Sequence, residues 1–595
     1  LGKITETEIR KRIKPFLDIN ATKCNQYQCP EYGFNTKQTF KIDKKAYKYT
    51  CAGCGKTGST YSNEAIYRTF KELFGYRYLK DKFLKEESCN NEECNNHNRS
   101  FKLYPSEYQK SGKTKSGSQR YKCKGCAKTF TKKKKPNRQR KDSINYKDKM
   151  IFMSIIHGLG IRRNAYLNEV STQTIYSKLE FFYEQCLKFN LMMNEKISSK
   201  NHKTVRLSLD DISLTTNWRT NPRKSEKFIS PKKKVGGALK LTITATVDNY
   251  TGFVFAQSLP FDSSVEANKI NRWALKNGEL DKKNILRENP HYTYIGEAED
   301  GERYVNNLHG RNQKLIETYG IKVEDAYSYF SHIYYLKKLF KNSKRMVLYH
   351  DNFSSADYRL ANMLNEREEL DKFFIYLVDS EYHRKKDKNG NLKPRKFDSR
   401  ENFIKEYKKY SKERKENYNN ISKMSKKDWL KKVNELEHKV GKNIISERVK
   451  EAQMTEKNVA IEHPLPKQRE PSKGITLLSD HLSNPHRVKY FLSDIDKANL
   501  NGVDNYFNNI RSMAFFKRST KQLENKEHGK SEWKPDKAYD PLKIIMMSEI
   551  YKTYFNFIKI GKDKRTPAQR LGISNRVWKI NDILTKDYSK LTLPH

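Results

Sequence analysis

From residue 205 onward, apolar and polar positions alternate with the period of a strand. Val205, Leu207 and Leu209 share one face before the run meets Asp210 and Asp211, a pattern that marks a half-buried strand. LKLTITATVDN (239–249) and GFVFAQSLPF (252–261) follow as two β-rich runs about a turn at Asp248–Gly252. Further on, KRMVLYHDN reads as a short buried strand ending in Asp351, ADYRLANMLNEREEL as a helix, and KFFIYLV as another strand. Near the end, Val503, Tyr506, Phe507, Ile510 and Ala514 form a helical core stripe, while Asp504, Asn508 and Arg511 line a different face. Ahead of the strands the period is helical. Residues 147–157 predict one helix, Gly158 and Gly160 interrupt it, and Ile161–Val170 and Thr172–Phe182 predict two short helices joined at Glu169–Ser171. Ser171 is a suitable N-cap for the second.

The cysteines add a different constraint. Eight of nine fall in four pairs before residue 130. Cys24 and Cys29 are followed after 21 residues by Cys51 and Cys54, and Cys89 and Cys94 after 28 residues by Cys123 and Cys126. Each quartet offers four thiolates to a tetrahedral Zn²⁺, two zinc sites in all. CAGCGK and CKGCAK place Gly or Ala where a tight turn must aim backbone N–H groups at sulfur. Four disulfides in a secreted protein are the alternative, but no secretory signal is visible and the chain reads as intracellular. His97 is a competing ligand that a full quartet does not need. Cys186 lies in an apolar helical stretch and reads as a small buried hydrophobe.

Charge names the partner. Lys plus Arg is 119 against 70 Asp plus Glu, a net +49, and such an excess favours a polyanion whose counterions are released on binding. Double-stranded DNA fits better than a membrane surface, since no apolar run spans a bilayer. If the helix from Thr172 lies in a major groove, Gln173, Thr174, Tyr176 and Lys178 reach bases and phosphates, with Arg162 and Arg163 on the backbone. An ordinary supporting helical hairpin is the alternative. The stretch 111–136, with its Lys132–Lys135 run, suits a phosphate-tracking hairpin or a solvated linker.

Three consecutive antiparallel strands, the first with an acid in its middle, are how an RNase H-like sheet begins. Asp210, Asp351 and Asp504 are 141 and 153 positions apart, yet a sheet can converge them to hold two Mg²⁺ or Mn²⁺ ions for phosphodiester chemistry. Asp211 is an alternative to Asp210, because alternation puts it on the face of Leu207 and Leu209. Asp504 could instead serve its helix's N-terminus, and Asp351 a turn with Asn352.

Together these stretches resemble insertion-sequence transposases of the acid-triad, RNase H-like superfamily. LSLDDISLTTNWRT resembles the first-acid strand, in which a second acid follows the first and a Trp comes eight residues later, as Trp218 follows Asp210; this favours Asp210 over Asp211. TVDNYTGFVFAQSL resembles the next hairpin. VDNYFNNIRSMAFFKRST resembles the third-acid helix, with Arg511 seven residues after Asp504. YFNFIKIGKDKRTPAQRLGI, with its Thr566–Ala568 turn, resembles the terminal stretch. The second ribbon with the helix-turn-helix resembles the DNA-binding front of these elements. The third acid is Asp504 where the family usually has Glu, and the longer spacings imply insertions near 262–340 and 383–490.

The resulting expectation is an α/β multi-domain chain. Ribbon 1 covers 1–75, ribbon 2 covers 76–136, the helix-turn-helix 137–200, an RNase H-like mixed-sheet catalytic domain 201–545, and a helical segment 546–595. The implied activity is cleavage of transposon 3′ strands and their transfer to target DNA, by a homodimer or higher oligomer in the cytoplasm or nucleoid, or in a eukaryotic nucleus. A domesticated DNA-binding protein without chemistry and a nuclease of the same fold are the alternatives.

Overall fold

The computed structural model describes residues 5–131 with short interruptions, 146–216, 239–294 with interruptions at 278 and 280–284, 319–351, 372–379, 461–462, 474–477, 494, 497–511, 540–586 and 588. The helix expected at 356–370, the basic loop and charged run within 383–490, Lys132–Lys135, Trp218 and Ala514 lie outside the described residues.

The chain is mixed α/β, with several sheets and helices. It begins with α1 (Glu6–Ile13), the antiparallel strands β1 (Phe40–Asp43), β2 (Lys48–Cys51) and β3 (Thr57–Ser59), then α2 (Asn63–Leu73) and α3 (Tyr76–Glu86). A second small antiparallel sheet follows: β4 (Tyr108–Lys113), β5 (Gln119–Cys123) and β6 (Thr129–Thr131). Next come α4 (Tyr146–Ile156), α5 (Ile161–Leu167) and α6 (Thr172–Ser198). Ser171 caps α6, its side chain accepting from the Thr174 N–H. Expected to stop at Phe182, α6 instead runs unbroken for 27 residues. Its apolar stripe continues past that point because it serves two partners. Ile175, Leu179 and Phe182 pack with α4, while Phe189, Met193 and Ile197 enter the core behind the large sheet.

Among the described residues, that sheet has seven strands. β7 (Val205–Thr216), β8 (Leu239–Asp248) and β9 (Val254–Ser258) are consecutive and antiparallel. β10 (Phe261–Glu266), α7 (Ala267–Lys276), β11 (Tyr319–Lys322) and α8 (Asp325–Leu339) then intervene before β12 (Met346–Asp351), which lies parallel beside β7. β13 (Phe373–Asp379) is parallel to β12, and β14 (Ile461–Glu462) and β15 (Gly474–Leu477) close that edge. The order is β14-β15-β13-β12-β7-β8-β9. Of the stretch 262–340 expected as an insertion, β10, α7 and β11 stand outside this sheet, but α8 is core. Phe330, Ile333, Leu336 and Leu339 bury against the Leu207–Leu209 face.

The opposite face is covered by α9 (Asn501–Arg511) and α10 (Pro541–Phe557), through Val503, Tyr506, Phe507, Ile510, Ile544 and Ile550. The chain ends in α11 (Pro567–Arg570), opened by a Thr566–Gln569 capping box, and α12 (Ile580–Leu584). Both sheet faces are buried, which is why β12 and β13 read as continuous apolar runs rather than alternating ones. No described helix is long and apolar enough to cross a membrane.

Candidate functional site

The pleat decides where the acids go. Residues two apart along a strand share a face, so Ser208 and Asp210 look toward α9, and Leu207, Leu209 and Asp211 toward α8. The parallel register pairs Leu209 with His350, and the next step sets Asp210 beside Asp351. Neighbours in register on adjacent strands are ~4.8 Å apart at the backbone and project to the same face. Asp210 and Asp351 therefore form a pair on the α9 side.

α9 supplies the third acid. Its N-terminus is pinned to the sheet: the Val503 N–H donates to Ser208 Oγ (3.1 Å), which donates to the Val247 carbonyl (3.2 Å). Asn249 Nδ2 donates to the Asn499 carbonyl (2.9 Å). Gly502 makes this approach possible, since a Cβ there would sit 2.9 Å from Asn249 Oδ1 and 3.0 Å from Ser208 Oγ. Asp504, in the first turn, stays exposed on the flank, and Arg511 Nη1 donates to Asn508 Oδ1 (3.2 Å).

The charges meet. Burial pushes the Asp210 carboxyl up to about 7, the Asp211 backbone N–H opposes the rise, and the charges of Asp211, Asp351 and Asp504 add to it. Asp211 is pushed up to about 6 by burial, against hydrogen bonds from Thr244 and Tyr329. Asp494, ten residues before Asp504, is engaged elsewhere. It is fully buried and accepts from Arg345 (2.6 and 3.0 Å), Arg206 (3.1 Å) and Tyr376 (3.2 Å), at the far end of β7 and β12.

Among the described residues, the groups of three or more potential ligands whose atoms all lie within 4.8 Å of one another are the two cysteine quartets. The three aspartates are spread more widely than a grip on one ion. Two ions ~4 Å apart, each ligated at ~2.1 Å, span about 8 Å between their outermost oxygens. The described crevice of about 1020 Å³ between α3, α6, β10 and α10 is lined by none of the three.

The quartets close tightly. Cys24–Cys54 and Cys29–Cys51 sulfurs are 3.8 and 3.7 Å apart, and Cys89–Cys126 and Cys94–Cys123 are 3.4 and 3.7 Å apart. A tetrahedron with Zn–S bonds of ~2.3 Å has edges of roughly 3.8 Å, and all nine cysteines are free thiols rather than disulfides. Both clusters could bind zinc. Backbone N–H groups of Glu31, Asn91 and Asn96 point at Cys29, Cys89 and Cys94 (3.4–3.5 Å). Burial opposes ionisation of Cys123, but the Asn96 amide and the N–H groups of Cys126 and Gly125 outweigh it and lower the thiol to about 7. His97 is turned to the Cys89 carbonyl (3.0 Å) and is no ligand. Cys186 is buried, as an apolar filler should be.

In the helical unit, Arg162, Arg163, Gln173 and Tyr176 are exposed and Thr174 half-buried. Lys178, expected at DNA, is instead ion-paired with the buried Asp148 of α4. Its i+3/i+4 spacing from Thr174 places it at the helix–helix seam rather than on the outer face. Pattern reading also missed Gly502, whose place inside a helical stripe signals close approach, and the Asn96–Cys123 contact (3.4 Å), which has no sequence signature.

Compared with known proteins, the chain matches no family model, no curated protein and no solved structure.

Proposed function

We propose that the chain is a DNA transposase of the RNase H-like, acid-triad type. One observation carries the reading: Asp210 and Asp351 sit side by side on parallel strands, on the face covered by the helix bearing Asp504, and Asp210 feels both charges. The strand order β9-β8-β7-β12-β13, antiparallel through β7 and parallel from there, supports an RNase H-like sheet. So does α8, which connects β11 to β12 behind it.

In this reading, Asp210, Asp351 and Asp504 are the residues that would hold two Mg²⁺ or Mn²⁺ ions, and the chemistry such ions would supply is activation of the attacking oxygen and stabilisation of the leaving one. Arg511, two turns along the same helix from Asp504, balances a phosphate of the bound strand. Arg162 and Arg163 neutralise phosphates, while Gln173, Thr174 and Tyr176 at the start of α6 read the element's ends. The zinc ribbons add DNA-binding surface, and a homodimer or higher oligomer brings two ends together.

The test is incubation of the zinc-loaded chain with DNA carrying the element's termini, with and without Mg²⁺. New 3′-hydroxyl ends and joined products are expected, and Asn at any of the three acids should abolish both while gel-shift binding survives. Cleavage without joining would instead indicate a nuclease. A second reading, a DNA-binding protein that has lost its chemistry, is favoured by the wide spacing of the carboxylates and the short side chain of Asp504. Metal-independent binding with no cleavage would establish it. Partial activity of Asp504→Glu would count against it.

A further inference from the structure

The back of the sheet, opposite the acid pair, carries a row of buried hydrogen bonds in an otherwise apolar layer. Tyr329 of α8 donates its hydroxyl to Asp211 Oδ2, and its oxygen lies 3.4 Å from His350 Nε2. Thr244 lies on β8 directly opposite Asp211, beside that carboxylate. One turn along α8, His332 bridges Thr246 of β8 (2.8 Å) and Ser258 of β9 (2.9 Å). Since the single Tyr329 proton goes to Asp211, His350 must donate. The chain then runs from His350 Nε2–H to Tyr329 Oη and on to Asp211 Oδ2.

Asp211 and His350 are the residues adjacent to Asp210 and Asp351. Because side chains alternate across the pleat, a tie between these two on the back face fixes the relative height of the two carboxylates on the front. We propose that Tyr329 is a positioning residue for the acid pair, clamping β7 to β12 from behind so that Asp210 and Asp351 meet a shared divalent ion. The proposal rests on the metal-site reading given above. A buried polar network specifies one arrangement of the elements it joins, and ligands of a small hard cation must converge to ~2.1 Å. Partners once removed from a ligand typically change metal affinity tenfold or more.

The probe is Mn²⁺ alone, titrated into the zinc-loaded full-length chain and followed by the loss of the free-ion electron paramagnetic resonance signal. The wild-type chain should bind Mn²⁺ and Asp210→Asn should lose it; a wild type that binds none overturns the metal-site reading itself. Tyr329→Phe removes one hydroxyl and keeps the ring. It should weaken Mn²⁺ binding about tenfold while still folding, with a somewhat lower melting temperature because a buried carboxylate loses a donor, and binding DNA as the wild type does. Wild-type Mn²⁺ affinity in Tyr329→Phe, with Asp210→Asn still defective, overturns the clamp and leaves the metal site standing. Asp211→Leu removes the acceptor that Tyr329 holds and reads the same clamp from its other end should Tyr329→Phe lose its fold: Mn²⁺ binding about tenfold weaker is expected, and wild-type affinity overturns the clamp. Asp211→Asn keeps an oxygen that accepts from Tyr329, so its affinity should stay within threefold. A loss as complete as that of Asp210→Asn would make Asp211 a ligand and overturn the arrangement.

Discussion

Asp210 and Asp211 are consecutive, yet they meet different surroundings because one residue of strand turns a side chain through the sheet. Asp210 is pushed up to about 7, above its unfolded value of about 3.9. The metal-free fold is therefore unpenalised at low pH, loses stability as pH rises from the unfolded value toward 7, and carries the full penalty above it. Asp210→Asn should stabilise the metal-free chain at pH 8 by up to about 4 kcal/mol, and the gain should vanish below pH 4; thermal melts across that range check it. A second residue-scale prediction concerns Gly53. A Cβ there would lie 2.8 Å from Cys29 Sγ, so Gly53→Ala should release zinc from the first ribbon at a chelator concentration that leaves the second loaded. Zinc stoichiometry should fall from about two per chain toward one.

At the scale of elements, α9 shows how a helix delivers an acid. Its stripe of Val503, Tyr506, Phe507 and Ile510 buries fully, and Gly502 lets its first turn touch the β8 end. Gly502→Val should lift that turn from Ser208 and the Asp248 carbonyl, each within about 3.1 Å of a Cβ at this position. Overpacking of this kind costs about 1–3 kcal/mol. A displacement near 1 Å is enough to lower a positioned reaction about 10²-fold. The expected result is a lower melting temperature and lost cleavage, with DNA binding retained; full cleavage would separate the helix from the chemistry. The stripe was legible from spacing alone, as were the strands carrying Asp210 and Asp351. The length of α6 was not. Past Phe182 its apolar residues belong to a different core, and no local signal says that Asn190 meets Glu549 and Thr553 (2.7 and 2.8 Å), or Asn194 meets Tyr335 (2.6 Å).

For the whole molecule, that continuity joins the α4–α6 helical unit to the core behind the large sheet through one helix, so the proposed reading end and the sheet share an element. The net charge of +49 sets the long-range behaviour. DNA affinity should fall steeply with salt, and replacing both Arg162 and Arg163 with Ala should flatten the log–log slope by about two without changing sequence preference. Gln173→Ala should relax preference and leave the slope alone. Binding isotherms on terminal and random DNA at several salt concentrations distinguish the two. Lys178→Ala should act on stability instead, because its partner Asp148 would be left buried and unpaired.

The sequence by itself determined the two cysteine quartets, the strands and their alternation, and the helix stripes, because each is a matter of spacing along the chain. Tertiary structure alone decided the pairings. The parallel register sets Asp351 beside Asp210, the back-face tie joins Asp211 to Tyr329, two arginines and a tyrosine claim Asp494, and Lys178 turns inward to Asp148. These contacts join residues up to hundreds of positions apart. Their geometry comes from how sheet and helices pack, and no short-range pattern encodes it.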